Sequence, residues 1–148
     1  MPVKIPFLLI LTLLLTACAT KNISAPNQPY LDTQKRIEKL NNDQYRYLED
    51  QTIYIGEFNQ GIPSGFGELI SPDGSRYQGS IKNSKAHGFG KSTMITGEIY
   101  EGEHLQGLFE GKGKLTLSDG SYFIGTFKNH KVYRGEMHFT NGKIRRLN

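Results

Sequence analysis

Glycine is confined to one part of this chain, and there it recurs with a fixed period. All 17 glycines lie between Gly56 and Gly142. Tyr54, Tyr77, Tyr100 and Phe123 stand 23 residues apart and open four units. Two residues on come Gly56, Gly79, Gly102 and Gly125, and four residues on come Phe58, Ile81, His104 and Phe127. Further on come the pairs Gly65/Gly67, Gly88/Gly90 and Gly111/Gly113, of which the fourth unit keeps Gly135 alone. The units end on Asp73-Gly74-Ser75, Thr96-Gly97-Glu98, Asp119-Gly120-Ser121 and Asn141-Gly142-Lys143. Such self-similarity marks a stack of small units that bury their apolar surface only against their neighbours.

Strand geometry says what each unit is. Alternate residues of a β-strand point to opposite faces. Tyr54, Gly56 and Phe58 therefore share a face, and Ile55 and Glu57 take the other. In the next strand Gly65, Gly67 and Leu69 share a face against Phe66, Glu68 and Ile70. Glycines thus lie beside aromatics, where a ring can rest on bare backbone. Asp-Gly and Asn-Gly suit tight turns between units, and Gly61 and Gly107 suit the turn inside a unit. Asp50-Gln51-Thr52-Ile53 resembles a unit ending, so a degenerate strand is expected before the first full unit.

The pattern Tyr-x-Gly-x-aromatic, Gly-x-Gly, Asp/Asn-Gly-Ser resembles the MORN repeat family over Tyr54 to Gly142. His104 and Thr96-Gly97-Glu98 depart from it, and the fourth unit is one residue short. The resemblance implies an all-β fold: an elongated single-layer antiparallel sheet of four tandem β-hairpins at 54–76, 77–99, 100–122 and 123–144, within a domain spanning 50–148. About eight strands spaced about 4.8 Å apart give a sheet roughly 35–40 Å long. Its aromatic face would need a cover: the Asp32–Leu40 segment, the Lys143–Asn148 tail, a second copy or a partner.

The N-terminus reads differently. Lys4 precedes the apolar run Ile5 to Leu15, the layout of a signal peptide over residues 1–17. About 11 residues of helix span roughly 16 Å, about half the hydrocarbon core of a bilayer. Leu15-Thr16-Ala17-Cys18 resembles a bacterial lipobox, which implies cleavage before Cys18 and acylation there, with a diacylglyceryl and an amide-linked chain such as palmitate. Cys18 is the only cysteine, so an internal disulfide is excluded. The alternative is an ordinary signal peptide with an incidental Cys. The resemblance implies a lipid-anchored protein of the bacterial cell envelope, and Ala19 after the Cys implies the outer membrane rather than the inner.

Residues 18–30, with Pro26 and Pro29, read as a flexible tether. Residues 31–49 read as a short helix and cap, with Asp32 as N-cap, Ile37 and Leu40 on one face, and Asn41-Asn42-Asp43 as the stop. A partner-binding helix and a cover for the end of the array are both open; the cover needs less. Tyr45, Tyr47 and Leu48 would join that packing.

The side chains suggest little chemistry. His87, His104, His130 and His138 are not spaced as zinc ligands, and His104 stands in an aromatic position. Glu101 and Glu103 share a strand face away from the tyrosines, with Glu57 equivalent to Glu103, which suits solvent better than acid–base work. The glycines are accounted for by the sheet, and no Gly-x-Ser-x-Gly elbow or phosphate-binding loop is present. The +4 charge is spread too thinly to argue for nucleic acid. The chain therefore reads as a non-enzymatic binding or scaffolding lipoprotein, with no cofactor, metal or small-molecule substrate. Its expected docking face is Tyr54, Phe58, Tyr77, Ile81, Tyr100, Phe123 and Phe127, for a protein partner or a second copy. The alternative is contact with anionic lipid or cell-wall polymer through Lys112, Lys114, Lys128, Lys131, Arg134, Lys143, Arg145 and Arg146. These cations serve equally as a solvated surface that discourages aggregation.

Overall fold

The computed structural model describes residues 28–148. The signal peptide and Cys18 lie outside them. One helix, α1 (Gln28–Ile37), precedes ten strands: β1 (Tyr45–Tyr47), β2 (Ile53–Asn59), β3 (Ile62–Ile70), β4 (Arg76–Lys82), β5 (Lys85–Thr93), β6 (Ile99–Leu105), β7 (Leu108–Thr116), β8 (Tyr122–Lys128), β9 (Lys131–His138) and β10 (Ile144–Leu147). They form one antiparallel sheet in chain order, with β1 and β10 at its edges. The four hairpin units are β2–β3, β4–β5, β6–β7 and β8–β9; β1 and β10 are additions at either end.

The glycines explain the sheet. Gly56, Gly67, Gly79, Gly90, Gly102, Gly113, Gly125 and Gly135 pair in register across β2 to β9 as one ladder. A ring lies on this ladder in each unit. A Cβ added at Gly67 would come within 2.5 Å of Tyr54 Cε2, and one at Gly113 within 2.6 Å of Tyr100 Cε2. No side chain fits there, so glycine is required by close approach.

Just beyond the ladder the pairing within each unit slips. Such a bulge strands a backbone carbonyl, and the tyrosine that opens the unit satisfies it. The Tyr54 hydroxyl donates to the Glu57 carbonyl, Tyr77 to Ser80 at 2.8 Å and Tyr100 to Glu103 at 3.0 Å. Carboxylates close the other side of two bulges. Glu57 accepts the Phe66 N–H at 3.1 Å and Glu103 accepts the Lys112 N–H at 3.0 Å. These glutamates hold backbone, which is a structural use for a pair that sequence placed simply in solvent. In the fourth unit the slip falls between Thr126 and Phe127 and is a smaller one. That is where the missing residue is taken up.

The two kinds of turn differ. Inside the units the loops are two residues long, with both residues at positive φ: Gln60-Gly61, Asn83-Ser84, Gln106-Gly107 and Asn129-His130. Between units only the glycine is at positive φ, and Asp73 and Asp119 instead accept the N–H of Ser75 and Ser121 at 2.8 Å. The Asp-Gly links are therefore wider turns than the two-residue type expected. Leu48–Thr52 repeats this turn with Asp50 accepting the Thr52 N–H at 3.0 Å, which is the anticipated degenerate unit ending.

Helix α1 begins before Asp32, so Asp32 is an internal residue, 3.9 Å from Lys35, and not the N-cap. Residues 28–30, read from sequence as the end of the tether, belong to this helix, and the rest of that segment lies outside the described residues. Tyr30, Thr33 and Ile37 recur at helical spacing and are buried, packing on Ile53 and Ile70. Ile53 and Ile55 flank Tyr54 and point the other way. The helix therefore covers the back of the first hairpin, not the ring face. Arg36 and Arg76 clasp Glu68 at 2.6 and 3.5 Å, and Arg76 also reaches Thr33 Oγ1 at 3.2 Å.

Candidate functional site

The rings expected to dock a partner form the core. Tyr54, Tyr77, Ile81, Tyr100, Phe123 and Phe127 are all buried, and Phe58 is half-buried. Among the described residues neither the helix nor the tail covers them; they cover one another. His104 sits edge-on to Tyr77 at 4.7 Å and to Tyr100 at 5.1 Å. Phe127 does the same between Tyr100 at 4.8 Å and Phe123 at 5.2 Å. Ile81 packs in one cluster with Tyr54 and Tyr77. In units two to four the fifth residue thus roofs the first residue of the unit before it. Sequence periodicity identified the ring face but not this roofing, which buries most of these residues against one another.

The same face instead presents a groove of about 730 Å³. Leu48, Leu69, Ala86, Met94, Phe109 and Leu115 give it apolar walls. Tyr77, Ser92 and His104 also line it, as do Arg76, Lys85, Glu98, Gln106 and His130. Sequence reading passed over Met94 and Leu115, although Leu115 shares its place in the unit with Leu69. That shared place, two residues beyond the second glycine of the pair and opposite the opening tyrosine, was the available signal.

Ser92 and His104 break the pattern together. Ser92 stands where the neighbouring units have Leu69 and Leu115, and His104 where they have Ile81 and Phe127. The His104 Nδ1–H donates to the Gly102 carbonyl at 3.0 Å, which leaves Nε2 to accept the Ser92 hydroxyl hydrogen at 3.0 Å. Each polar group satisfies the other within an apolar face. Burial, ahead of opposing hydrogen bonds to Gly102 and Gly88, lowers the His104 pKa from its usual value. The imidazole is therefore neutral at pH 7. The group that orients it is a carbonyl, not a carboxylate, so the pair lacks the anion that stabilises an imidazolium in a catalytic triad. No cluster of three or more His, Cys, Asp or Glu side chains able to hold a metal occurs among the described residues.

The eight cations do not converge. Lys112, Lys114 and Arg134 line a hollow of about 500 Å³ on the back of the sheet with Phe89 and Ile124. Lys114 lies over the Tyr122 ring at 4.5 Å. Lys128 and Lys131 oppose each other at a hairpin tip. Lys143, Arg145 and Arg146 lie on or beside β10.

No curated protein matches the chain. Residues 54–76, 77–98 and 100–122 match the MORN repeat, a non-catalytic module that commonly binds proteins or membranes. The matches cover β3, β4, β5 and β7 whole, β2 and β6 except for their first residues, and the first residue of β8, and leave the rest of the last hairpin unmatched. Three tandem stretches in the middle of this sheet are thus similar to the MORN repeat.

Proposed function

We propose that this chain is a non-catalytic scaffold of the bacterial envelope, tethered through acylated Cys18, that binds a protein partner in the groove on its ring face. One observation carries the reading: the face that the repeats build bears a groove of about 730 Å³ with apolar walls, set against the buried ring clusters. Pockets of this size and lining are where binding is expected. The lipobox supplies the anchor, since several acyl chains together hold firmly at about 0.8 kcal/mol per buried methylene. Among the described residues no helix is long and apolar enough to cross a membrane.

Met94 is the probe of choice, because it is half-buried in the groove wall and lies outside the glycine ladder. Met94→Asp should abolish co-isolation of the partner from cells while leaving the circular dichroism and melting temperature near wild type. A folded variant that retains its partner removes the groove from the site. Cys18→Ser should release the protein from the membrane fraction; continued membrane attachment would remove the anchor.

A second reading is favoured by the hollow formed by Phe89, Lys112, Lys114, Ile124 and Arg134, which places three cations beside apolar side chains. It predicts salt-sensitive binding of a soluble form lacking residues 1–18 to anionic vesicles. Absence of binding at low salt would dismiss it.

A further inference from the structure

The last unit differs from the others in charge and in its edge. From Phe123 to Asn148 there are six cations, Lys128, Lys131, Arg134, Lys143, Arg145 and Arg146, against the single carboxylate Glu136. That surplus exceeds the +4 of the whole chain. All the positive excess therefore sits at one end of an elongated sheet. The end is open. Among the described residues β10 pairs with β9 alone, and all four of its residues are exposed. In an antiparallel pair, successive residues turn their N–H and C=O groups alternately toward and away from the partner. Half of the β10 backbone groups therefore face outward with no strand to meet them.

Side chains say what could fill this lane. Arg146 opposes Glu136 and binds it at 2.9 Å, so the sheet itself pairs this arginine with an acid. Arg145 opposes Met137 and has no such partner in that position. Ile144 and Leu147 stand at 57% and 36% exposure, apolar contacts at each end of the strand. A second copy is a poor occupant. Its own β10 would set Arg145 and Arg146 against themselves, and its β1 carries Arg46 between two tyrosines. Like charges opposite one another across a sheet destabilise it, and opposite charges stabilise it.

We propose that the β10 edge is a docking site for an extended acidic segment of another protein, which adds as an eleventh strand. Backbone hydrogen bonds supply the attachment, and acidic side chains opposite Arg145 and Arg146 supply the choice of partner. The proposal concerns the basic end of the sheet and does not depend on the groove.

The test uses the isotope-labelled full chain in neutral detergent and a blocked peptide of alternating glutamate and valine. Amide exchange at β10 should slow by about tenfold or more on binding, a change equivalent to about 1.4 kcal/mol. A lysine–valine peptide should have no effect. The change Arg145→Glu, which leaves the Arg146–Glu136 pair in place, should reverse this preference while leaving the melting temperature unchanged. Binding without slowed exchange at β10 overturns the proposal, as does loss of binding to both peptides in a variant that stays folded. Equal protection of β10 by phosphatidylglycerol vesicles would assign the edge to a lipid surface instead, and would also overturn it.

Discussion

Ser92 and His104 hydrogen-bond at 3.0 Å where the neighbouring repeats have leucine and an aromatic or isoleucine. Two departures from the repeat thus compensate each other, and the pair has a pH signature. Burial lowers the folded-state pKa of His104, so in a window just below 6.5 the unfolded chain binds more protons than the native one. Its contribution to stability is present above that window and is lost as pH falls through it. The double variant Ser92→Leu with His104→Phe, which restores the repeat, should lose this acid-side decline. Melting temperatures at pH 8 and pH 5 test this; an unchanged difference between them would assign the decline to other groups.

Gln51 occupies the turn position that glycine fills in the four later links, at φ 65°. A left-handed conformation costs a non-glycine residue about 1–2 kcal/mol. Gln51 is exposed and is held through its backbone alone: its N–H donates to the Leu48 carbonyl at 3.0 Å and its carbonyl accepts the Tyr30 hydroxyl. Gln51→Gly should therefore stabilise the fold by about 1 kcal/mol, read as a raised urea midpoint with an unchanged slope.

The glycines divide into two classes with different tolerances. Gly113→Ala would drive a methyl into the Tyr100 ring and should cost about 3 kcal/mol or more by overpacking. At Gly107 a Cβ meets nothing, and only its φ of 88° resists. Gly107→Ala should cost about 1–2 kcal/mol. Equal urea midpoints for the two variants would argue against rings resting on the ladder.

Burial pushes the Tyr77 and Tyr100 hydroxyls up to about 12 from 10.0. At Tyr100 the carboxylates of Glu103 and Glu110 add to the rise. The unfolded chain releases these protons first, so their contribution is complete below pH 10 and is lost as pH rises toward 12. Tyr100→Phe should flatten this alkaline decline, at the cost of leaving the Glu103 carbonyl without its donor. Ultraviolet titration of tyrosinate alongside unfolding provides the check.

Much of this was legible in sequence because glycine has one role here. Repeated Tyr-x-Gly and Gly-x-Gly located the hairpins, and Asp50-Gln51-Thr52 located a turn without its glycine. Burial was less legible. Alternation tells which residues share a face but not whether that face roofs itself. Isolated strands suggested that Tyr54 and Phe127 would be presented to a partner, whereas cross-unit ring contacts enclose them. The helix was misplaced in register because Asp32 resembles a cap, while Tyr30 and Thr33, which carry the packing, were assigned to the tether or passed over. The groove depends on Met94, Leu115 and Phe109 meeting across strands, which a one-dimensional pattern does not display.

Site-specific photocrosslinking in cells tests the central claim most directly. A photoreactive residue would be placed at Met94 in the groove, and separately at Phe66, which is 65% exposed on the opposite face. The groove account predicts a discrete protein adduct from Met94, absent from Phe66 and lost in a folded Leu69→Glu variant. Adducts from Phe66 alone, or an adduct from Met94 that survives Leu69→Glu, would contradict it.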